Sequence, residues 1–186
     1  MSADKYKHII IAITGASGCI YAKRLIEKLE NTNNAPRISI IMSEVGKQVW
    51  KTELGALPEF KHKVYHEKDF MAPFASGSSV ADSMVVIPCS MGSLGKIAHG
   101  IADNLITRAA DVILKEKKQF ILVPRETPLN LIHIENMKLL TLAGATIIPA
   151  CPSFYAKPAS IHALVDTIVN RVLDHLGYAP ESATRW

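Results

Sequence analysis

The sequence predicts an α/β fold, one domain over residues 1–186 built as a three-layer, doubly wound parallel sheet with helices on both faces. Three observations lead there. Short runs of continuous apolar, β-branched residues recur along the chain, which is how strands buried on both faces read. They alternate with segments of helical period, and no low-complexity linker separates two halves. With 186 residues, 48% of them hydrophobic, the chain can bury a full core.

The first strand is expected at Ile9 to Ile13. It breaks into the small-residue turn Thr14-Gly15-Ala16-Ser17-Gly18, after which Ile20, Tyr21, Leu25, Ile26 and Leu29 recur on one helical face. The second strand, Ile38 to Met42, ends in Ser43, and a weaker third candidate lies at Val64-Tyr65. Met84 to Ile87 is the fourth, leaving through Pro88-Cys89-Ser90-Met91-Gly92-Ser93; Phe120 to Val123 is the fifth, leaving through Pro124-Arg125-Glu126. A helix is expected after Asn104. Thr146 to Ile148 is the last strand, with Pro149-Ala150-Cys151-Pro152 as a rigid exit. The closing helix carries a stripe of Ile161, Leu164, Val165, Ile168, Val169, Val172, Leu173 and Leu176, with Gly177 as its C-cap.

Charge and cysteine content exclude several classes. The net charge is +4, and the basic clusters Lys61-His62-Lys63 and Lys115-Glu116-Lys117-Lys118 are too short and too mixed for a nucleic-acid surface, so they read as solvated faces. Cys19, Cys89 and Cys151 are odd in number and far apart, with no C-x-x-C pair, which points to reduced thiols rather than disulfides or zinc. His66, His99, His133, His162 and His175 are scattered without ligand spacing, so no metal is expected. No run is long enough for a signal segment or a membrane span, and the expectation is a soluble cytoplasmic protein.

In such sheets ligands bind beyond the carboxyl ends of the strands. Those ends carry Gly15-Ala16-Ser17, Ser43, Ser90-Met91-Gly92-Ser93 and Arg125: small residues, hydroxyls and a cation, as a phosphorylated cofactor requires. In the first turn, backbone N–H groups at the new helix N-terminus are expected to approach a phosphate. Single serines there are equally explained as N-caps. The turn is G-x-x-G rather than G-x-G-x-x-G, and the second strand ends in Ser43 rather than an acid, which fits a mononucleotide such as FMN better than NAD; Glu44 next door keeps the dinucleotide open. A second, cationic set follows from helical phase. Arg108 and Lys115 lie seven residues apart, one face and roughly 10 Å between them, suiting a single anion pocket. Arg171 lies beside the last apolar stripe and is expected to point inward or along a protein interface. The competing reading is local pairing, Asp111 with Arg108 and Lys115, and Asp174 with Arg171.

These residues carry a resemblance. Thr14 to Gly18, Met71-Ala72-Pro73 with Ala75-Ser76-Gly77-Ser78-Ser79, Asn104 to Val112, Val123 to Pro128 and Phe154-Tyr155 resemble the UbiX flavin prenyltransferases, over nearly the whole chain through Arg185-Trp186. The resemblance implies a flavodoxin-like or Rossmann-like subunit of a homo-oligomer, a dodecamer. It implies an enzyme of the ubiquinone-biosynthesis kind that makes prenylated FMN for a UbiD-type decarboxylase. The dimethylallyl group passes from dimethylallyl phosphate to N5 and then C6 of reduced FMN, which is substrate rather than permanent cofactor, without metal. By the same resemblance, Gly15, Ala16, Ser17, Ser43, Ser90, Met91, Gly92, Ser93 and Arg125 bind FMN. Lys115, Glu126, Tyr155 and Arg171, with Arg108 nearby, surround the prenyl phosphate.

Ser17, Glu126, Lys115 and Phe70 are the catalytic candidates. Cations and a Tyr hydroxyl would stabilise the departing phosphate. Glu126 would relay a proton with Ser17, or else pair with Arg125 and orient it. Phe70 stands where the family often places Trp and would offer a weaker π-face to a prenyl cation, or would serve as a loop anchor packed on the core. Contacts between chains are expected at the Ala75 to Ser79 loop and the apolar tail. Two other readings use the same FMN site. One is a peptidyl-cysteine-type decarboxylase, whose Pro-x-Met-Asn-type segment and active-site His are not found at Pro88 to Ser93. The other is a non-catalytic FMN carrier or regulatory subunit.

Overall fold

The computed structural model describes residues 7–77 and 81–178; Ser78, Ser79, Arg185 and Trp186 lie outside the described residues. Six strands, β1 (His8–Ile13), β2 (Arg37–Met42), β3 (Lys63–His66), β4 (Ser83–Cys89), β5 (Gln119–Pro124) and β6 (Thr146–Ile147), form one sheet in the order β3-β2-β1-β4-β5-β6. All neighbours pair parallel. The strands begin or end within two residues of the expected positions, and the weak Val64-Tyr65 candidate is a genuine edge strand.

Six helices cover the two faces: α1 (Cys19–Glu30), α2 (Glu44–Leu54), α3 (Met91–Ala98), α4 (Leu105–Lys115), α5 (Leu131–Leu142) and α6 (Ile161–Leu176). The period of two decides which side chains meet which layer. Ile9, Ile11 and Ile13 of β1 pack with α1, α6 and Trp50 of α2; Ile10 and Ala12 pack with α3, α4 and Leu140 of α5. At the amino end of β1, the buried His8 sets its Nε2 2.9 Å from Ser39 Oγ.

Helix ends follow the sequence signals. Asn104 and Asn130 each close a capping box, and Ser43, Ser90 and Ser160 cap α2, α3 and α6. Gly177 closes α6 in the left-handed conformation, as expected. The same paired 6→1 and 5→2 bonds close α3 at Gly100, α5 at Gly144 and α4 at Lys117, where Lys117 N–H reaches Leu114 O and Lys118 N–H reaches Ile113 O. Lys117 therefore holds φ 51°, a conformation glycine adopts freely and lysine does not.

One expectation is corrected. Ile161, assigned to the α6 stripe, is 71% exposed, because only the stripe from Val165 onward reaches the sheet. α5 has no apolar stripe of its own: it buries only Asn136 and Leu140 and exposes Leu131, Ile132, Ile134, Leu139 and Leu142.

Candidate active site

Strand order reverses between β1 and β4, and the carboxyl ends of β1, β2, β4 and β5 open at that switch point. Close packing of backbone on backbone builds the rim. A Cβ on Gly15 would stand 2.5 Å from Val45 Cγ1, and one on Gly46 would stand 2.7 Å from the Ile13 carbonyl oxygen, so α2 can start directly beside the end of β1. Ser43 donates its N–H to Ile13 O at 3.0 Å while its Oγ accepts the Gly46 N–H at 2.9 Å. The expected cap role and the expected position at the site thus coincide in one residue.

The β4 exit is tied to β1 through Thr14. Its hydroxyl donates to Pro88 O and accepts from the Ser90 N–H, both at 2.8 Å. Ser90 Oγ then accepts the Ser93 N–H at 3.3 Å and donates to Ser93 Oγ at 3.1 Å, setting the first turn of α3. Gly92 lies in that turn, and a Cβ there would meet nothing within 4 Å. Protein packing does not require glycine here, and the space beside it is open to a closely approaching ligand. Arg125 is held by its N–H to Cys89 O at 3.2 Å, and its buried Nε has no hydrogen-bond partner. A buried guanidinium N–H without an acceptor is costly and fits an acceptor supplied by a ligand. The hydroxyls, the open space at Gly92 and the orphaned Arg125 Nε together fit a flavin mononucleotide.

The first turn differs from expectation. The N–H groups of Gly18 and Cys19 donate to the Glu53 carboxylate at 3.0 and 2.8 Å, so the anion at the start of α1 is the protein's own side chain. Those two N–H groups are thus already paired, while the Ser43 and Ser90 to Ser93 ends stand on the other side of the strand-end cleft. Glu53 was missed in the sequence; its one signal was an acid in the last turn of α2, the negative end of that helix, where an acidic side chain is disfavoured unless it serves something else.

The cationic set is placed differently from one member to the next. Arg108 spends Nε on Ala75 O at 2.9 Å and Nη1 on Asp111 at 3.2 Å, so it clasps the loop before Gly77 and shows the local pairing that helix spacing allowed. Lys115 is exposed at the end of α4, with Nζ 3.0 Å from where a Gly77 Cβ would stand. Arg171 does not point inward: its side chain is 65% exposed, with Nη1 3.6 Å from Asp174 Oδ2, because its phase on α6 falls beside the buried stripe rather than within it. Glu126 does not pair with Arg125; its carboxylate accepts the N–H of Thr127 at 3.0 Å. Tyr155 is 78% exposed and Phe70 47% exposed on this subunit, which argues against Phe70 as a core-packed anchor.

Cys19 and Cys89 are buried free thiols. Burial pushes the Cys89 thiol up to about 12, and burial with the charge of Glu53 does the same for Cys19, so both stay protonated and serve as packing. Among the described residues no group of three or more His, Cys, Asp or Glu is placed to hold a metal ion, and no helix is long and apolar enough to cross a membrane.

Known proteins share this arrangement. The sequence matches the Flavoprotein family over residues 1–173. It is 44% identical to the flavin prenyltransferase UbiX of Methanothermobacter thermautotrophicus, covering 97% of this chain and 95% of that protein. Among solved structures, AnUbiX in complex with FMN and dimethylallyl pyrophosphate superposes with a TM-score of 0.91 at 39% identity, covering 98% of each chain. The dodecameric FMN-dependent Ubix-like decarboxylase from Escherichia coli O157:H7 gives 0.90 at 37% identity, covering 96% of this chain and 98% of that one. Full-length identity at this level, on a sheet whose switch point presents an FMN-shaped set of groups, means that the chain belongs to the Flavoprotein family and, within it, to the UbiX flavin prenyltransferases.

Proposed function

We propose that this chain is a cytoplasmic flavin prenyltransferase acting as one unit over residues 1–186, and that it moves the dimethylallyl group of dimethylallyl phosphate onto reduced FMN. The observation that carries the reading is the strand-end cradle, in which Arg125 Nε is buried without an acceptor beside a helix start that leaves open space at Gly92. When bound, reduced FMN supplies the nucleophilic N5 and the C6 carbon at which a fourth ring closes.

The residues divide the work. Gly15, Ala16 and Ser17 form the rim, Ser43 and Ser90 to Ser93 (with Met91 and Gly92 between) take the FMN phosphate and ribityl side, and Arg125 donates to an acceptor on the flavin. Lys115, Arg171 and the Tyr155 hydroxyl meet the prenyl phosphate and stabilise the charge gathering on it as it leaves, each such donor being worth about 10²-fold in rate. Arg108 acts beside them by holding the Ala75 carbonyl. Ser17 and Glu126 hold and pass the proton, and Phe70 faces the prenyl group.

Tyr155, Arg171, Phe70 and Lys115 are all exposed on the isolated subunit, and α5 presents an uncovered apolar surface. A contiguous group of large apolar side chains this exposed marks a surface that another protein copy can cover. Both features support a homo-oligomer, a dodecamer, in which neighbouring copies cover these groups. The product is passed to a UbiD-type decarboxylase. The test is anaerobic incubation of purified protein with reduced FMN and dimethylallyl phosphate, followed by mass spectrometry of the flavin. A flavin heavier by one prenyl unit is expected; an unchanged flavin with FMN demonstrably bound overturns the activity.

A further inference from the structure

We infer that Thr14 is a positioning residue of the flavin site, its hydroxyl setting the direction of the Ser90 to Ser93 amides; this rests on the FMN reading above. Thr14 follows β1 and is 1% exposed, so its hydroxyl has no water to fall back on. Regular pairing between β1 and β4 runs to Ala12 opposite Val86. Beyond it stands Pro88, which has no N–H, and the Thr14 N–H reaches Pro88 O only at 3.3 Å.

The hydroxyl takes over where the ladder weakens. It donates to Pro88 O and accepts from the Ser90 N–H, each at 2.8 Å, using its one proton on one side of the β4 exit and a lone pair on the other. Ser90 in turn caps Ser93 N–H, so the orientation of the first turn of α3 passes through a single oxygen on β1. Thr14 itself touches no ligand in this account. It fixes the angle at which the α3 amides, the Ser90 and Ser93 hydroxyls and the open space at Gly92 face an incoming phosphate.

Thr14→Val and Thr14→Ser separate the hydroxyl from the methyl. Val keeps the shape and removes both bonds, leaving a buried carbonyl and a buried N–H to find partners by moving the turn; Ser keeps both bonds. In a fluorescence-quenching titration with FMN, Thr14→Val is expected to weaken binding roughly 10-fold or more and to shift the bound-flavin absorption band, while Thr14→Ser stays within about 3-fold of wild type with an unchanged band. Wild-type affinity and spectrum in Thr14→Val overturn the inference. So does an equal loss in both variants, which would show that the site responds to any change at this position and not to the hydroxyl. Should Thr14→Val not fold, Thr14→Ala is compared with Thr14→Ser: both lack the methyl and only Ala lacks the hydroxyl, so equal FMN affinity in the two overturns the inference. Amide exchange at Ser90 is measured alongside, expected to quicken roughly 10-fold in the Val variant only. If wild type itself fails to bind FMN, the functional reading falls, and unchanged Ser90 exchange would then overturn the positioning role on its own.

Discussion

Replacing Gly92 with Ala is expected to stabilise the fold and damage FMN binding at the same time, a combination that a purely structural glycine cannot produce. A Cβ at Gly92 meets nothing within 4 Å, so no protein atom must move to admit it. Gly92 is the second residue of α3, where Ala is favoured over Gly by about 0.5–1 kcal/mol. For a domain of this size that raises Tm by about 1–4 °C. The methyl then occupies the space through which a phosphate or ribityl group approaches the α3 amides. An unaccommodated methylene in a packed contact costs about 1–3 kcal/mol, or roughly 5- to 100-fold in Kd.

Gly46→Ala is the opposite case. Its Cβ would stand 2.7 Å from the Ile13 carbonyl oxygen and 3.1 Å from Ser43 Oγ, and the first of these is backbone that cannot rotate away. The overpacking cost of about 1–3 kcal/mol exceeds the helix-propensity gain, so Tm should fall by about 2–8 °C. Thermal unfolding of the apo proteins by circular dichroism, with FMN titrations on the same preparations, gives both numbers. A Gly92→Ala variant that binds FMN like wild type, or that melts below Gly46→Ala, refutes the reasoning.

The remaining expectations are as follows. Lys117→Gly relieves a left-handed lysine at the end of α4 and should add about 0.5–1 kcal/mol in denaturant unfolding, whereas Lys118→Gly should not stabilise. Burial, aided by the charge of Arg37 and opposed by Asp82, holds the His8 pKa below its ordinary 6.5, so the folded state favours neutral imidazole. Its contribution is therefore intact above about pH 6.5 and lost as the pH falls below it; urea melts at pH 7.5 and 5 should show His8→Gln losing less stability on acidification than wild type. Arg171→Ala should weaken dimethylallyl phosphate binding about 10-fold or more in calorimetry and leave FMN affinity nearly intact; an equal loss of FMN would make Arg171 a fold residue instead.

Local chemistry was legible where one residue type does one thing. The apolar runs at Ile9 to Ile13 and Phe120 to Val123 could only be buried strands of a parallel sheet, and Gly177 could only be a left-handed cap, because backbone sterics leave few other solutions. Ser43, Ser90 and Arg125 were legible as residues of the strand ends, where ligand sites in such sheets lie, and the structure places them there. For Arg171 the inward option fails and the local pairing with Asp174 is seen, because a phase argument on a 3.6-residue period cannot separate the edge of a buried stripe from its centre. α5 was not legible: Leu131, Ile132, Leu139 and Leu142 share one arc of about 100° in which Glu135 also lies, with Lys138 beside it, so no face is marked as the inner one, and the structure leaves that arc exposed.

The sequence by itself determined the architecture and the location of the site, because strand burial, turn sterics and the rule of strand ends depend on neighbours close along the chain. Tertiary structure alone decided how the site's groups are used. Glu53 reaches the amides of Gly18 and Cys19 from 35 and 34 residues away, which occupies two N–H groups at the start of α1. Thr14 joins Ser90 across 76 residues, which ties the start of α3 to the end of β1. A hydrogen bond is satisfied by whichever partner the fold brings within 3 Å, and sequence spacing carries no record of that choice.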